Sequence, residues 1–228
     1  MSSGAIAVTV VIPVRNGRAH LGDAIDSSWA QTLRPAAVVV VDDGSSDGSG
    51  DLARSLGATV VAQPPLGPGA ARNLGVATAS TEWVAFLDAD DRMVPGRLAA
   101  QAAVLLADDD LSGVLGLMRL FADGAPAQGA PEACLLPSAL TVRRRAFLDS
   151  GGFDPSLPAG EFVDWMARCR QAGRRFEVVD ALVVERRVHA GNLTRDPERL
   201  RAGYLAVARS AVERRRRRDV PPGPGGSS

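Results

Sequence analysis

An α/β fold, with a mostly parallel sheet and helices on both faces, is what this sequence predicts, and three observations predict it. Strand-like and helix-like patterns alternate four times over the first part of the chain, the rhythm of βα units. The strand-like runs are apolar throughout, as in strands buried on both faces. Three stretches that interrupt this rhythm, 13–16, 42–43 and 88–91, are polar or acidic and follow strand-like runs. In such sheets the ligand lies beyond the carboxyl ends of the strands.

Taken in order, Val8 to Pro13 is the first strand, and Pro13-Val14-Arg15-Asn16-Gly17 is a loop signal. His20 to Gln31 is an amphipathic helix with Leu21, Ala24, Ile25 and Ser28 at helical spacing. The strand Ala36 to Val41 stops at Asp42-Asp43-Gly44-Ser45-Ser46-Asp47-Gly48, and a helix then runs to about Leu56. After the short strand Ala58 to Ala62, Gly67-Pro68-Gly69 opens a helix over Ala70 to Ala79. The strand starting at Trp83 follows. A helix beyond Pro95 to about Ala107, strands at Val114 to Phe121 and Ser138 to Arg143, and a Gly/Ala/Pro-rich loop near the site at Ala122 to Pro137 come next. Gly151 to Asp154 is a turn, Glu161 to Ala172 a helix ended by Gly173, and Val178 to Val188 largely strand. A last helix starts at Asp196-Pro197-Glu198 and runs into Arg214 to Arg218, ahead of a Pro/Gly/Ser tail from Pro221 that reads as disordered. The expected units are therefore 1–195, 196–219 and 220–228.

The 228 residues suit one domain, and a hydrophobic fraction of 46% supplies its core. No window reaches the ~18 uninterrupted apolar residues of a membrane span, and the N-terminus has no basic region followed by an apolar one. Cys134 and Cys169 suit reduced, partly buried thiols. Together these features predict a cytoplasmic protein. Every basic residue is Arg, so Schiff-base chemistry and a P-loop lysine are both excluded. The halves are oppositely charged: residues 1–137 carry 8 Arg against 15 acids, and residues 138–228 carry 18 Arg against 11. An acidic end and a basic end suit a metal-chelated diphosphate, while net neutrality and few aromatics disfavour nucleic acid.

The stretch with the most chemistry is Trp83-Val84-Ala85-Phe86-Leu87-Asp88-Ala89-Asp90-Asp91. Three carboxylates crowd the end of a buried strand. Their repulsion is relieved by a retained proton or by a cation, and oxygen ligands favour Mg²⁺ or Mn²⁺. The plainer reading is a solvated Asp-rich turn capping the next helix.

Four pieces in this order resemble the family 2 glycosyltransferases: Val-Ile-Pro-Val-Arg-Asn at 11–16, Val-Asp-Asp-Gly-Ser-Ser-Asp at 41–47, Gly-Pro-Gly-Ala-Ala-Arg-Asn at 67–73, and Phe-Leu-Asp-Ala-Asp-Asp at 86–91. The resemblance covers roughly residues 6–195. It implies the GT-A fold, a Rossmann-like sheet with a small C-terminal acceptor-side region. It further implies transfer of a sugar from a nucleotide-diphosphate donor, a UDP- or GDP-sugar, usually with inversion. Carried onto this chain, it places Pro13 and Arg15 in a loop bordering base and ribose, Asp43 on the base, Arg72 among the donor-binding residues and Asp88 near the ribose. Asp90 would hold the Mn²⁺ or Mg²⁺ that bridges the phosphates, with Asp88 beside it and Asp91 in support.

The family's usual base is the Asp of a Glu-Asp pair at a helix start, several residues before an Arg. Here the stretch reads Glu161-Phe162-Val163-Asp164 with Arg168 in the expected place, so Phe162 stands where the base should be. Glu161 and Asp164, three apart on one helix face, are both candidates for that role; the plainer reading is a match to the helix dipole. Arg187-Val188-His189-Ala190-Gly191-Asn192 resembles the family's closing segment, where a His can complete the metal or diphosphate site, making His189 a further ligand candidate. Asn192-Leu193-Thr194 matches an N-glycosylation pattern without meaning in a cytoplasmic chain. The runs Arg143 to Arg145 and Arg214 to Arg218 suit solvated helix faces, the second allowing at most peripheral contact with an anionic inner membrane surface. The acceptor is open among polysaccharide, lipid, small molecule and peptide. A nucleotide-sugar-binding module with little or no activity is the alternative to an active enzyme. A nucleotidyltransferase is disfavoured, because 13–17 is not a Gly-rich phosphate loop.

Overall fold

The computed structural model describes residues 6–189 apart from 126 and 158, together with 198, 201–203 and 205–209. The elements run β1 (Val8–Val14), α1 (Arg18–Trp29), β2 (Ala37–Asp42), α2 (Ser49–Ser55), β3 (Thr59–Ala62), α3 (Pro68–Thr78), β4 (Trp83–Phe86), β5 (Arg92–Met93), α4 (Arg97–Ala107), β6 (Leu111–Phe121), β7 (Gln128–Ala133), a 3₁₀ turn (Pro137–Ala139), β8 (Thr141–Arg143), α5 (Arg144–Asp149), α6 (Glu161–Gln171) and β9 (Arg175–Arg187).

The strands form one sheet in the order β3-β2-β1-β4-β8-β6-β9-β5, with β7 beside β6. β3, β2, β1 and β4 pair in parallel. β8 is antiparallel to both β4 and β6, which returns β6 and its parallel neighbour β9 to the direction of β4. Most strands therefore run one way, while β5, β7 and β8 run against them.

Both faces of the central strands are buried, and the pleat sorts them. Val8, Val10, Ile12 and Val14 of β1 join Val38 and Val40 of β2 in one cluster, with Leu21, Ala24 and Ile25 of α1 and Leu98 and Leu105 of α4. Val11, Val39, Val41, Val84 and Phe86 face the other way, toward Ala71 and Val76 of α3 and Phe162, Trp165, Met166 and Cys169 of α6. This period-2 division explains why the strand-like runs carry no polar alternation. Gly75 lets α3 sit against β1: a Cβ there would come within 2.3 Å of a Val11 methyl.

The buried positions of α1 are Leu21, Ala24, Ile25 and Ser28, as the spacing predicts. Gly67 before α3 takes φ +92°, and Pro68 occupies the first turn. Gly173 just after α6 is left-handed, at φ +74°.

Several expectations need correction. Pro13 belongs to β1 and is buried in it, not in the loop beyond. Val8 and Val14 accept hydrogen bonds from the β2 side, and Val11 accepts from Leu87 on the β4 side. By this alternation Pro13 faces β4, past the last registered pair Val11↔Phe86, so its missing N–H breaks no ladder. The segment 122–137 contains β7, paired with β6 through Leu117↔Ala133; its Gly and Pro content masked a strand that receives its pattern from its partner. Strand β5 and helix α5 were too short to leave a periodic signal. Arg143 and Arg144 are not simply solvated. Arg143 lies 4.5 Å over the Trp83 ring and pairs with Glu82. Arg144 donates to the carbonyls of Val76 and Ala77 at the end of α3. Cys134 and Cys169 are free thiols, fully rather than partly buried. Residues 190–197, with Asn192-Leu193-Thr194, and residues 210–228, with Arg214 to Arg218 and the tail, lie outside the described residues. Among the described residues no helix is long and apolar enough to cross a membrane.

Candidate functional site

Three strand ends meet because β2, β1 and β4 are neighbours in parallel register, Val14 opposite Asp42 and Val11 opposite Phe86. The loops beyond them are tied together. The Asn16 amide N–H donates to Ser45 Oγ at 3.0 Å, and Asn16 Oδ1 accepts from the Ser46 N–H at 2.8 Å. This exchange holds Asn16 at φ +51°, a conformation asparagine tolerates. Arg15 is exposed beside it.

Asp43 is buried, 3% exposed. Its carboxylate accepts from Gln63 Nε2 at 2.7 Å and from the N–H groups of Leu66 and Gly67 at 2.8 and 2.9 Å. Most of its lone pairs are thus used to fix the 63–67 loop over the end of β2.

Toward α3, Arg72 joins two carboxylates. Its Nη2 donates to Asp88 Oδ1 at 2.5 Å and its Nη1 to Glu161 Oε1 at 3.0 Å. The guanidinium is almost fully enclosed, and its Nε–H meets no partner atom of the described residues. Burial pushes the Asp88 carboxyl up, but the Arg72 charge and hydrogen bond outweigh it and hold Asp88 below the usual carboxylate range. The neighbouring Asn73 clamps Phe153, donating to its carbonyl at 2.7 Å and accepting from its N–H at 2.9 Å. Arg72 and Asn73 together bring the start of α6 to the strand ends.

Asp90 and Asp91 diverge. Asp90 Oδ2 lies 3.0 Å from His189 Nε2, and the His189 ring lies 5.0 Å from that of His20 on α1. Asp91 turns inward, 2% exposed, and its Oδ1 accepts from the Arg187 N–H at 3.1 Å. Burial and the charges of Asp88 and Asp90 push its carboxyl well above the usual range. The crowding seen in sequence is relieved in part because Asp91 turns away from Asp90 toward the Arg187 N–H.

Below the turn, Arg97 of α4 is completely buried and donates to the carbonyls of Phe86 and Leu140 at 3.0 and 3.1 Å, and to that of Ser138. Burial pushes its pKa down to about 9, so it stays charged at neutral pH. It secures the end of β4 one residue before Leu87 leads into the acids.

The two base candidates are separated by the fold. Glu161 shares Arg72 with Asp88. Asp164 is 2% exposed and accepts from Arg168 Nε at 2.8 Å, while Arg168 also donates to the carbonyls of Ser150 and Gly152. Asp164, the other candidate, is tied through Arg168 to the 150–152 turn. Phe162 points into the aromatic cluster, its ring 6.1 Å from Trp165 and 6.5 Å from Phe153.

A divalent ion suits part of this arrangement. The 3.0 Å between Asp90 Oδ2 and His189 Nε2 matches adjacent ligands of an octahedral ion held at ~2.1 Å. Asp88 is drawn to Arg72 instead, and among the described residues no three His, Cys, Asp or Glu side chains converge as ligands. The sequence reading missed Arg187, Arg97, Asn73 and His20. Arg187 lies within the recognised closing segment, and Asn73 is adjacent to Arg72; nothing in the pattern marked Arg97 or His20.

Residues 9–128 match Glycosyl transferase family 2. The chain belongs to this family. Over 192 residues it is 34% identical to the Pre-mycofactocin glycosyltransferase of Mycobacterium tuberculosis, covering 74% of this chain and 40% of that protein. It is 30% identical to the Succinoglycan biosynthesis protein ExoU of Rhizobium meliloti, covering 75% of this chain and 59% of the relative. The chain thus spans only part of the curated relatives it matches. Its fold is that of S. aureus TarS 1-349 solved in complex with UDP, with a TM-score of 0.66 at 23% identity over 80% of this chain and 61% of that one. TarS 1-349 in complex with UDP-GlcNAc superposes equally well, with a TM-score of 0.66 at 21% identity over 84% and 61%. The GT-A architecture expected from the resemblance is the one observed.

Proposed function

We propose that this family 2 glycosyltransferase moves a sugar from a nucleotide-diphosphate donor, with UDP favoured over GDP, to an acceptor hydroxyl with inversion. The observation that carries this reading is the convergence of Asp43, Asp88 and Asp90 at neighbouring strand ends, with Glu161 joined to Asp88 through Arg72. TarS, solved with UDP and with UDP-GlcNAc, supports the choice of nucleotide.

In this reading the base lies over the 63–67 loop that Asp43 holds in shape, with Arg15 at its rim. Asp88, kept ionised and oriented by Arg72, accepts from the ribose. Asp90 and His189 would hold Mn²⁺ or Mg²⁺, whose charge offsets the charge gathering on the departing nucleoside diphosphate. Glu161 takes the proton of the acceptor hydroxyl as the new C–O bond forms and the sugar–phosphate bond breaks. The sugar carbon passes through an oxocarbenium-like state, and one displacement inverts it. The acceptor hydroxyl belongs to a polysaccharide, lipid, small molecule or peptide.

A second reading, a donor-binding module with little or no transfer, is favoured by two observations: Phe162 is locked in the core where a base is expected, and Glu161 already has Arg72 as a partner. One experiment separates the two. The chain is incubated with Mn²⁺ and UDP-, GDP- and dTDP-sugars with varied acceptors, and nucleoside diphosphate release and binding are followed. Release supports the enzyme; metal-dependent binding without release supports the module. Asp90→Ala should abolish the metal-dependent part of donor binding, and unchanged affinity would remove Asp90 from the site.

A further inference from the structure

We propose that Arg187 is a positioning residue for the Asp88–Asp91 turn, holding Asp90 in the orientation in which it meets the donor. The assignment rests on the donor reading above and goes beyond it, because Arg187 itself need touch neither nucleotide nor sugar. Arg187 is 2% exposed at the end of β9. Its Nε donates to the Asp90 carbonyl at 2.9 Å, and its own N–H donates to Asp91 Oδ1 at 3.1 Å. Its Nη2 donates to Asp23 Oδ2 on α1 at 2.6 Å, and its Nη1 pairs with Asp123 in the loop between β6 and β7. The guanidinium lies 4.6 Å over the Phe121 ring, whose centroid is 4.7 Å from Arg92, and Arg92 also pairs with Asp23.

One side chain thus joins three segments to the turn: α1, the 121–123 stretch and its own strand β9. Two residues on, His189 meets the Asp90 carboxylate. Asp90 is therefore gripped at both ends, its carbonyl by Arg187 and its carboxylate by His189. Only a planar fork with donors aimed in several directions can do this. A lysine ammonium offers its donors from one point. The enclosed positive charge also sits between the carboxylates of Asp23 and Asp123, lowering the cost of bringing those acids beside the turn.

The test uses Arg187→Lys and Arg187→Met, with the exposed Arg54→Met as control. Two quantities are measured: amide hydrogen exchange of residues 88–93 without ligand, and affinity for UDP and for GDP with Mn²⁺. The turn is marked by the Asp91 N–H to Asp88 carbonyl bond of 3.1 Å. Expected in both variants is exchange of 88–93 faster by about tenfold, with α2 and α3 unchanged, and Mn²⁺-dependent affinity weaker by about tenfold, the scale of one lost charge-assisted hydrogen bond. Arg187→Lys binding UDP and GDP like the wild type would overturn the assignment, as would exchange rising uniformly through the protein. If Arg187→Met does not fold, the Asp23→Asn, Asp123→Asn double variant decides. It keeps Arg187 but frees its outer donors, and should loosen 88–93 and weaken Mn²⁺-dependent affinity by about threefold; no change in either overturns the assignment. A wild-type chain that binds neither nucleotide with Mn²⁺ overturns the donor reading and the assignment together, which distinguishes that failure from the others.

Discussion

On one flank of the acidic turn, Arg72 bonds to carboxylates, those of Asp88 and Glu161. On the other flank, Arg187 bonds to the carbonyl of Asp90 and, through its own N–H, to the inward Asp91. Both guanidiniums are almost fully buried, and both carry two carboxylate partners. The difference lies in what each controls. Arg72 draws the Asp88 carboxyl below its usual range and ties it to α6, while Arg187 sets the path of the chain on which Asp90 is carried. An acidic cluster at a strand end needs both, because a carboxylate must be ionised and also aimed.

The sharpest way to break this comparison is at Phe162, on the Arg72 flank. Phe162→Asp restores a carboxylate at the position where the family has its base. Because the ring lies among Phe153 and Trp165, the variant should lose more than about 4 kcal/mol in urea unfolding and gain no transfer rate. A stable, faster Phe162→Asp protein would mean that α6 can turn this position outward.

Next in size, Arg72→Met leaves Asp88 and Glu161 facing one another without their cation. A loss of about 3 kcal/mol in chemical denaturation is expected, as for removal of one partner from a buried ion pair. Exchange at 88–93 should change less than in the Arg187 variants. Equal loosening of the turn in both would erase the distinction between the flanks.

Glu161→Gln and Asp164→Asn then test the two ends of the first turn of α6. Glu161→Gln should slow transfer by about a hundredfold or more, the scale of general-base loss, with nucleotide affinity within about twofold. Asp164→Asn should leave the rate per folded molecule unchanged and lower the melting temperature, since it frees Arg168 from its carboxylate. The reverse pattern would return the base to Asp164.

The smallest effect concerns pH on the Arg187 flank. Hydrogen bonding from Arg92, together with Arg187, holds the Asp23 carboxyl below its usual value despite the cost of burial. A depressed folded-state pKa contributes stability above the unfolded value near ~4, and that contribution is lost as pH falls through the folded value. Asp23→Asn should therefore flatten the acid limb of a melting-temperature profile below about pH 4 and leave the neutral plateau slightly lower. An acid limb identical to wild type would show that Asp23 does not couple to the two arginines.

The first half of the fold was readable from residues because β1, β2 and β4 are buried on both faces, so their apolar runs owe little to distant partners. In the second half, β8 falls within the strand read at Ser138 to Arg143, but β7 pairs antiparallel with β6 and was not seen. Its register comes from that partner, and the segment 122–137, rich in Gly, Ala and Pro, shows no period of its own. The site divides the same way. Asp43, Asp88 and Asp90 stood out because acids directly after apolar runs are conspicuous, and β-sheet adjacency then brought them together.

The α/β class, the family and the edge of the sheet at which the acids gather are legible along the chain, since these depend on local periodicity and on short ordered motifs. It takes packing across the fold to turn Asp91 inward while Asp90 meets His189, to make Phe162 core, and to give Glu161 rather than Asp164 a guanidinium shared with Asp88. Those outcomes depend on which long arginine reaches which carboxylate across the fold. Arg72 lies 89 positions from Glu161, and Arg187 164 from Asp23, separations over which spacing along the chain carries no information about direction.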